Sequence, residues 1–267
     1  MRGLGILCYG LPGIGKTHWS LLWPKPLLCL SLHETGFEDL QVVGDVPEQT
    51  TGLSPKNYPQ LLEITKQCTG SFKTLVIDSL SGFQQMFFDY LIESNIPTTK
   101  SQSRKEAEEK FWAFYSGPRL QAPNAVAPYT ALLNSLLNAG TNVVLVGHKR
   151  NISEENVSGA DYRRAEIDMD EGIRNCFLKW APNCIYMSME PNISTITKST
   201  GYGAQQVATE GKAESLGNRL IYTSPNCQNS AKNKLKLPQF IPMGNSAQET
   251  FTNFWTGVPP VYKESNQ

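Results

Sequence analysis

The sequence predicts an α/β fold in which a mostly parallel β-sheet is flanked by helices on both faces. Three observations carry that prediction. The runs at 27–32, 74–78 and 142–147 are apolar almost throughout, the composition of strands buried on both faces. Between them lie segments with apolar residues at helical spacing: Leu61, Leu62 and Ile64 within 58–68, then Leu132, Leu133, Leu136 and Leu137 within 129–138. Finally, GLPGIGKT at 10–17 follows an apolar run at 4–9. It matches GxxxxGK[ST], a pattern that belongs between a strand and a helix.

Taken in order, the first strand covers 4–9 and the segment 18–23 turns apolar as a helix would. After Pro24 and Pro26 the second strand, 27–32, empties into the polar loop His33-Glu34-Thr35-Gly36. Residues 44–60, rich in Gly, Pro, Thr and Asn, read as a surface connection. A helix at 58–68 precedes the sharpest strand, TLVID at 74–78, which is β-branched and apolar until its carboxylate. A helix follows at 83–92. Residues 97–128 read as a mobile insertion with a helix at 104–114. The helix at 129–138 can stop at Gly140, and the strand 142–147 ends at His148-Lys149-Arg150. The polar stretch 151–169 reads as a loop over that sheet edge, and 184–189 and 219–223 as two further strands. The expected organisation is a core domain over 1–240 and a C-terminal tail over 241–267.

Composition sets outer limits. The chain of 267 residues balances 24 basic against 24 acidic side chains, which argues against a uniformly basic nucleic-acid coat and leaves room for a local basic patch. The six cysteines, Cys8, Cys29, Cys68, Cys176, Cys184 and Cys227, have no paired spacing and read as reduced thiols. No leader-like start or stretch of eighteen apolar residues stands out. The expectation is a soluble intracellular protein without an added N-terminal recognition domain and with no membrane association.

The chemistry-bearing residues sit at strand ends, where ligands gather in open α/β sheets. Gly10, Pro12, Gly13, Ile14, Gly15, Lys16, Thr17 and the following His18 form the phosphate-loop set. Its glycines let successive amides converge on phosphate oxygens. Lys16 would reach the terminal phosphates, and Thr17 would offer its hydroxyl to Mg²⁺. Asp78, closing its strand, is the second Mg²⁺-side residue. Ser79 either adds a hydrogen bond there or caps a turn. Glu34 either activates the attacking water or is a solvated loop glutamate, and His33 beside it turns outward on the simpler reading. His148 either senses the terminal phosphate, relaying through Lys149 and Arg150, or caps local backbone. No His and Cys set has zinc spacing, so the implied ligands are a nucleotide, whose base the pattern does not identify, and Mg²⁺.

The ordered set GLPGIGKT at 10–17, LHETGFEDL at 32–40, TLVIDSLSG at 74–82, NVVLVGHKR at 142–150 and RLIYTSPNCQNSAKNKLKLP at 219–238 resembles the phage-type RecA-like P-loop ATPases of single-strand annealing and recombination. The resemblance implies a RecA-like core, Mg²⁺-dependent ATP hydrolysis and catalytic roles for Lys16, Glu34, Asp78 and His148. It also implies action on single-stranded DNA, help from a single-strand-binding protein, self-assembly and, for a phage-encoded protein, the host cytoplasm.

Arg219, Lys232, Lys234 and Lys236 are the cations available for backbone phosphates, with Tyr222 as a stacking surface. They equally well solubilise a terminal surface. Arg119, Arg163 and Arg164 lie in polar segments and either offer an arginine to a neighbouring subunit or are simply solvent-exposed; the two readings weigh equally. Two rivals keep the same ATP site. One is a regulatory or assembly ATPase with a protein partner, and the other a small-molecule phosphotransferase.

Overall fold

The computed structural model describes residues 2–95, 104–155, 162–199, 207–226 and 229–264, with 191–199 and 207–216 as backbone. Cys227 and residues 97–103 of the expected insertion lie outside the described residues. The sheet centre is parallel. Strand β1 (Gly5–Gly10) lies between β5 (Asn142–Glu154) and β7 (Asn183–Ser199), and β4 (Thr74–Asp78) separates β5 from β2 (Leu27–Ser31). Beyond β2 comes β3 (Thr50–Leu53), also parallel. On the other side, β8 (Val207–Tyr222) and β10 (Phe240–Pro242) continue the sheet antiparallel.

Every residue of β1, β2 and β4 is buried, so their apolar runs face helices on both sides. The pleat sorts them by parity. Leu7, Leu28, Leu75, Ile77 and Leu145 enter one core with helices α3 (Tyr58–Gln67), α4 (Leu80–Ser94), α7 (Ala127–Asn138) and α8 (Glu171–Trp180). Ile6, Cys29, Val76 and Val144 enter the other with Trp19, Trp23 and Phe254. Close approach requires glycine at positions 10 and 82, among others. A Cβ on Gly10 would stand 2.2 Å from the Met187 carbonyl oxygen, and one on Gly82 1.8 Å from that of Leu32. The second lets the start of α4 press against the end of β2.

Several elements depart from the sequence expectation. The connection at 44–60 contains β3, whose alternating exposure is that of an edge strand with a polar side. Helix α3 then begins at Tyr58, where Asn57 Oδ1 accepts from the Gln60 amide at 3.0 Å. The stretch 151–169 is mostly not a loop. Strand β5 runs on to Glu154, and β6 (Tyr162–Ile167) pairs with it antiparallel. One face of that hairpin is wet, so it lacks an apolar run. The helix after the phosphate loop, α1 (Lys16–Ser20), starts and stops earlier than 18–23.

The described part of the 97–128 segment carries α5 (Arg104–Trp112), a 3₁₀ turn, a π-helical turn and α6 (Ala122–Ala125). Its Phe111, Ala122 and Val126 are buried in the first core. At the C-terminus, 241–267 carries α9 (Ala247–Gly257) and α10 (Pro260–Glu264). Phe254 of α9 is fully buried, its ring edge-on to Trp19 at 5.2 Å. The expected tail therefore contains a helix packed behind the phosphate loop.

Candidate nucleotide site

Parallel register brings the strand ends to one edge. Gly10 stands beside His148, Ser31 beside Asp78, and Asp78 beside Val146. The loops leaving these positions share that edge, and there they enclose a cavity of about 530 Å³, within the size range of small-ligand pockets. Pro12, Gly13, Gly15, Lys16, Thr17 and His18 line it from the phosphate loop, and Glu34, Asp78 and His148 from the other strand ends. Leu40 and Val43 add apolar surface.

Gly13 and Gly15 have φ of 72° and 98°, backbone conformations that disfavour a side chain. Helix α1 is only five residues long, so the loop's own amides, more than a long helix field, make the anion cradle. Gly10 and Ile14 do not line the cavity. Gly10 is held in the sheet, and the Ile14 side chain packs into the second core. Lys16 is buried, and its Nζ donates to the carbonyls of Leu11 at 2.8 Å and Gly10 at 3.2 Å. Burial pushes this ammonium below the usual lysine range, against the pull of Cys8, Asp78 and Glu34.

Thr17 Oγ1 donates to Asp78 Oδ2 at 2.6 Å. Asp78 is itself buried, and desolvation raises its pKa despite the Thr17 hydrogen bond. A buried carboxylate bonded by a neutral hydroxyl next to a phosphate cradle suits Mg²⁺, which favours oxygen ligands. Among the described residues no group of three or more His, Cys, Asp or Glu side chains could hold a metal ion. Mg²⁺ held here by Thr17 and Asp78 would therefore take its other oxygens from phosphate and water. Gly36 keeps room over this pair, since a Cβ there would come within 3.0 Å of Thr17 Oγ1.

Glu34 is half-buried, and one of its oxygens is doubly held. Oε1 accepts from Ser79 Oγ at 2.8 Å and lies 2.7 Å from His148 Nε2. The other ring nitrogen of His148, Nδ1, is buried without a partner. Ser79 also caps α4, its Oγ accepting from the Gly82 amide at 3.3 Å. That hydroxyl therefore acts as a cap, and the bond it donates goes to Glu34 rather than to Asp78. The cavity also draws on Thr35, Gly36, Asp39, Leu40 and Val43, residues without a chemical signature of their own. His33 is exposed on the surface with φ 57°.

The expected DNA-facing cations are dispersed in role. Arg219 Nη2 donates to the Gly244 carbonyl at 2.6 Å, and Lys232 Nζ to the Leu178 carbonyl at 3.0 Å. Lys234 and Lys236 are exposed, alternating with buried Leu235 and Leu237. Tyr222 is half-buried beside Tyr186, ring centres 5.9 Å apart. Arg119 and Arg163 are exposed, whereas Arg164 pairs with Glu154 and Glu166.

A family model described as an AAA domain matches residues 2–235. The chain belongs to the AAA domain family. This AAA domain has no match among curated proteins. Among solved structures it is similar to a KaiC-like protein from the hyperthermophilic archaeon Pyrococcus horikoshii OT3. The identity is 12% over 92% of this chain and 87% of that one, with a TM-score of 0.43. It is also similar to the RadB recombinase, with 9% identity over 93% and 89% of the two chains and a TM-score of 0.45. No helix among the described residues is long and apolar enough to cross a membrane.

Proposed function

We propose that this AAA domain is a Mg²⁺-dependent ATPase that works on single-stranded DNA. The observation that carries the hydrolytic reading is the placement of Glu34. Ser79 and His148 hold its Oε1 in the cavity that also contains Lys16 and the Thr17–Asp78 pair. Lys16 binds the terminal phosphates. Bound Mg²⁺ supplies neutralisation of phosphate charge. Glu34, with Oε1 occupied, uses its other oxygen to orient a water and accept its proton. His148 registers the state of the site through its bond to Glu34.

DNA as the partner rests on the motif resemblance and on Lys234 and Lys236, which remain exposed. Self-assembly on the strand belongs to the same proposal. A protein partner is the second reading, favoured by exposed Trp112, Phe114, Tyr115 and Leu120 on the segment after α4. ATP turnover measured with and without single-stranded DNA separates the two. DNA-stimulated turnover is expected, and turnover indifferent to DNA but raised by a bound protein would replace this reading with the second.

A further inference from the structure

Beyond the nucleotide cavity, the β5–β6 hairpin and α8 bring three arginines to one carboxylate. Arg150 on β5 stands opposite Glu166 on β6. Arg164, two residues along β6, therefore shares Glu166's face. Arg174 arrives from α8. Glu166 is almost fully buried. Its Oε1 receives Arg164 Nη2 at 2.9 Å and the Ser230 hydroxyl. Arg164 Nη2 also pairs with Glu154 at 2.5 Å. The three guanidiniums thus meet the paired carboxylates of Glu154 and Glu166, while Glu171 and Asp170 at the start of α8 also attract Arg174.

The donors are left over. Arg150 Nε, Arg164 Nε, and Nε and Nη1 of Arg174 are buried without a hydrogen-bond partner, four donors against one carboxylate oxygen of the cluster left in the same state, Glu166 Oε2. The Arg174 side chain is only 9% exposed, and Glu166 Oε2, at 4.0 Å from its Nε, is beyond bonding distance. Burial and the like charges of Arg150 and Arg164 lower the Arg174 pKa, against the pull of Glu166. Buried guanidinium donors without acceptors are costly. An arrangement of this kind is stabilised by an anion.

We propose that Arg150, Arg164 and Arg174 form a binding site for a phosphate-type oxyanion, separate from the phosphate loop. Guanidinium forks converging from two strands and a helix suit a tetrahedral acceptor with several oxygens better than a planar carboxylate. Arg150 and Arg164 are half-buried, so the anion enters past them and meets Arg174 behind. The phosphate is either free or part of a nucleic-acid backbone. The site does not depend on the ATPase reading, although Arg150 shares a face of β5 with His148, two residues away.

The test uses the full chain carrying Lys16→Ala, which disables the phosphate loop as a competing phosphate site. Inorganic phosphate is titrated at constant ionic strength against chloride, followed by calorimetry and thermal shift. One phosphate per chain is expected. Arg150→Gln should weaken it at least tenfold, and Glu166→Gln, which removes the competing carboxylate, should tighten it. A purely structural ion cluster would instead lose stability in Glu166→Gln with no recovery by phosphate, and that result overturns the site. Displacement of phosphate by a short single-stranded oligonucleotide assigns the backbone source, and phosphate binding without displacement assigns the free anion. No binding of either probe, or binding unmoved by Arg150→Gln, rejects the proposal. Nucleotide binding by the chain with Lys16 intact reports on the phosphate loop independently.

Discussion

At the residue scale the candidate nucleotide site concentrates charge where solvent is scarce. Lys16→Ala removes the only lysine lining the cavity among the described residues, and the loss of one preorganised electrostatic donor typically raises a barrier by about 3 kcal/mol. Steady-state turnover should fall on the order of a hundredfold, with folding unchanged by circular dichroism. Glu34→Gln should lower hydrolysis by about 10²-fold or more while nucleotide affinity, measured by fluorescence titration, holds. Equal losses in both would make Glu34 a binding residue. Asp78 supplies a sign test. Burial raises its pKa in the folded chain, so folding takes up a proton, and stability falls as pH rises from the unfolded value through the folded one. Asp78→Asn should therefore melt higher than wild type at neutral pH, with the gap closing once acid protonates the carboxylate in both states. The same variant should lose the stabilisation that Mg²⁺ and ATP together confer. The positions of Lys16, Thr17, Glu34 and Asp78 were legible because each ends or follows a strand that announces itself. The sharing of Glu34 Oε1 between Ser79 and His148 was not, since it joins residues 45 and 114 positions away from Glu34.

At the element scale, legibility followed burial. Strands β1, β2 and β4 are enclosed on both faces and advertise this as unbroken apolar runs. Strand β3 and the β5–β6 hairpin each expose a side, so their polar residues imitate loops. Helix α9 was missed for a different reason. Its aromatic residues fill a contact with Trp19 and Trp23 that only the tertiary fold creates. The energetic consequence is testable. Phe254→Ala should destabilise the chain by about 3–5 kcal/mol, the range for truncating a buried Phe, read from the midpoint of urea unfolding. Because Trp19 lies within the phosphate-loop helix, nucleotide affinity should weaken in the same variant even where the chain remains folded. A tail lying loosely on the surface would give neither effect.

At the scale of the whole molecule, zero net charge means that attraction to DNA depends on where the cations stand. Lys232 is turned onto the carbonyls of Leu178 and Lys179 at the end of α8, and Arg219 onto that of Gly244. Both hold the fold together, whereas Lys234 and Lys236 project between the buried anchors Leu235 and Leu237. A lysine that neutralises a single-strand phosphate contributes about 0.7 to the slope of log affinity against log salt. Replacing Lys234 and Lys236 together by Ala should therefore reduce that slope by about 1.4 and weaken binding at low salt, with melting unchanged. Lys232→Ala should do the reverse, lowering the melting temperature through the uncapped α8 while the slope stays near wild type. Fluorescence anisotropy with a labelled oligonucleotide across a salt series distinguishes these outcomes. An unaltered slope in the double variant would take the strand path away from this segment and leave the arginines of the β5–β6 hairpin as the stronger site for a backbone phosphate.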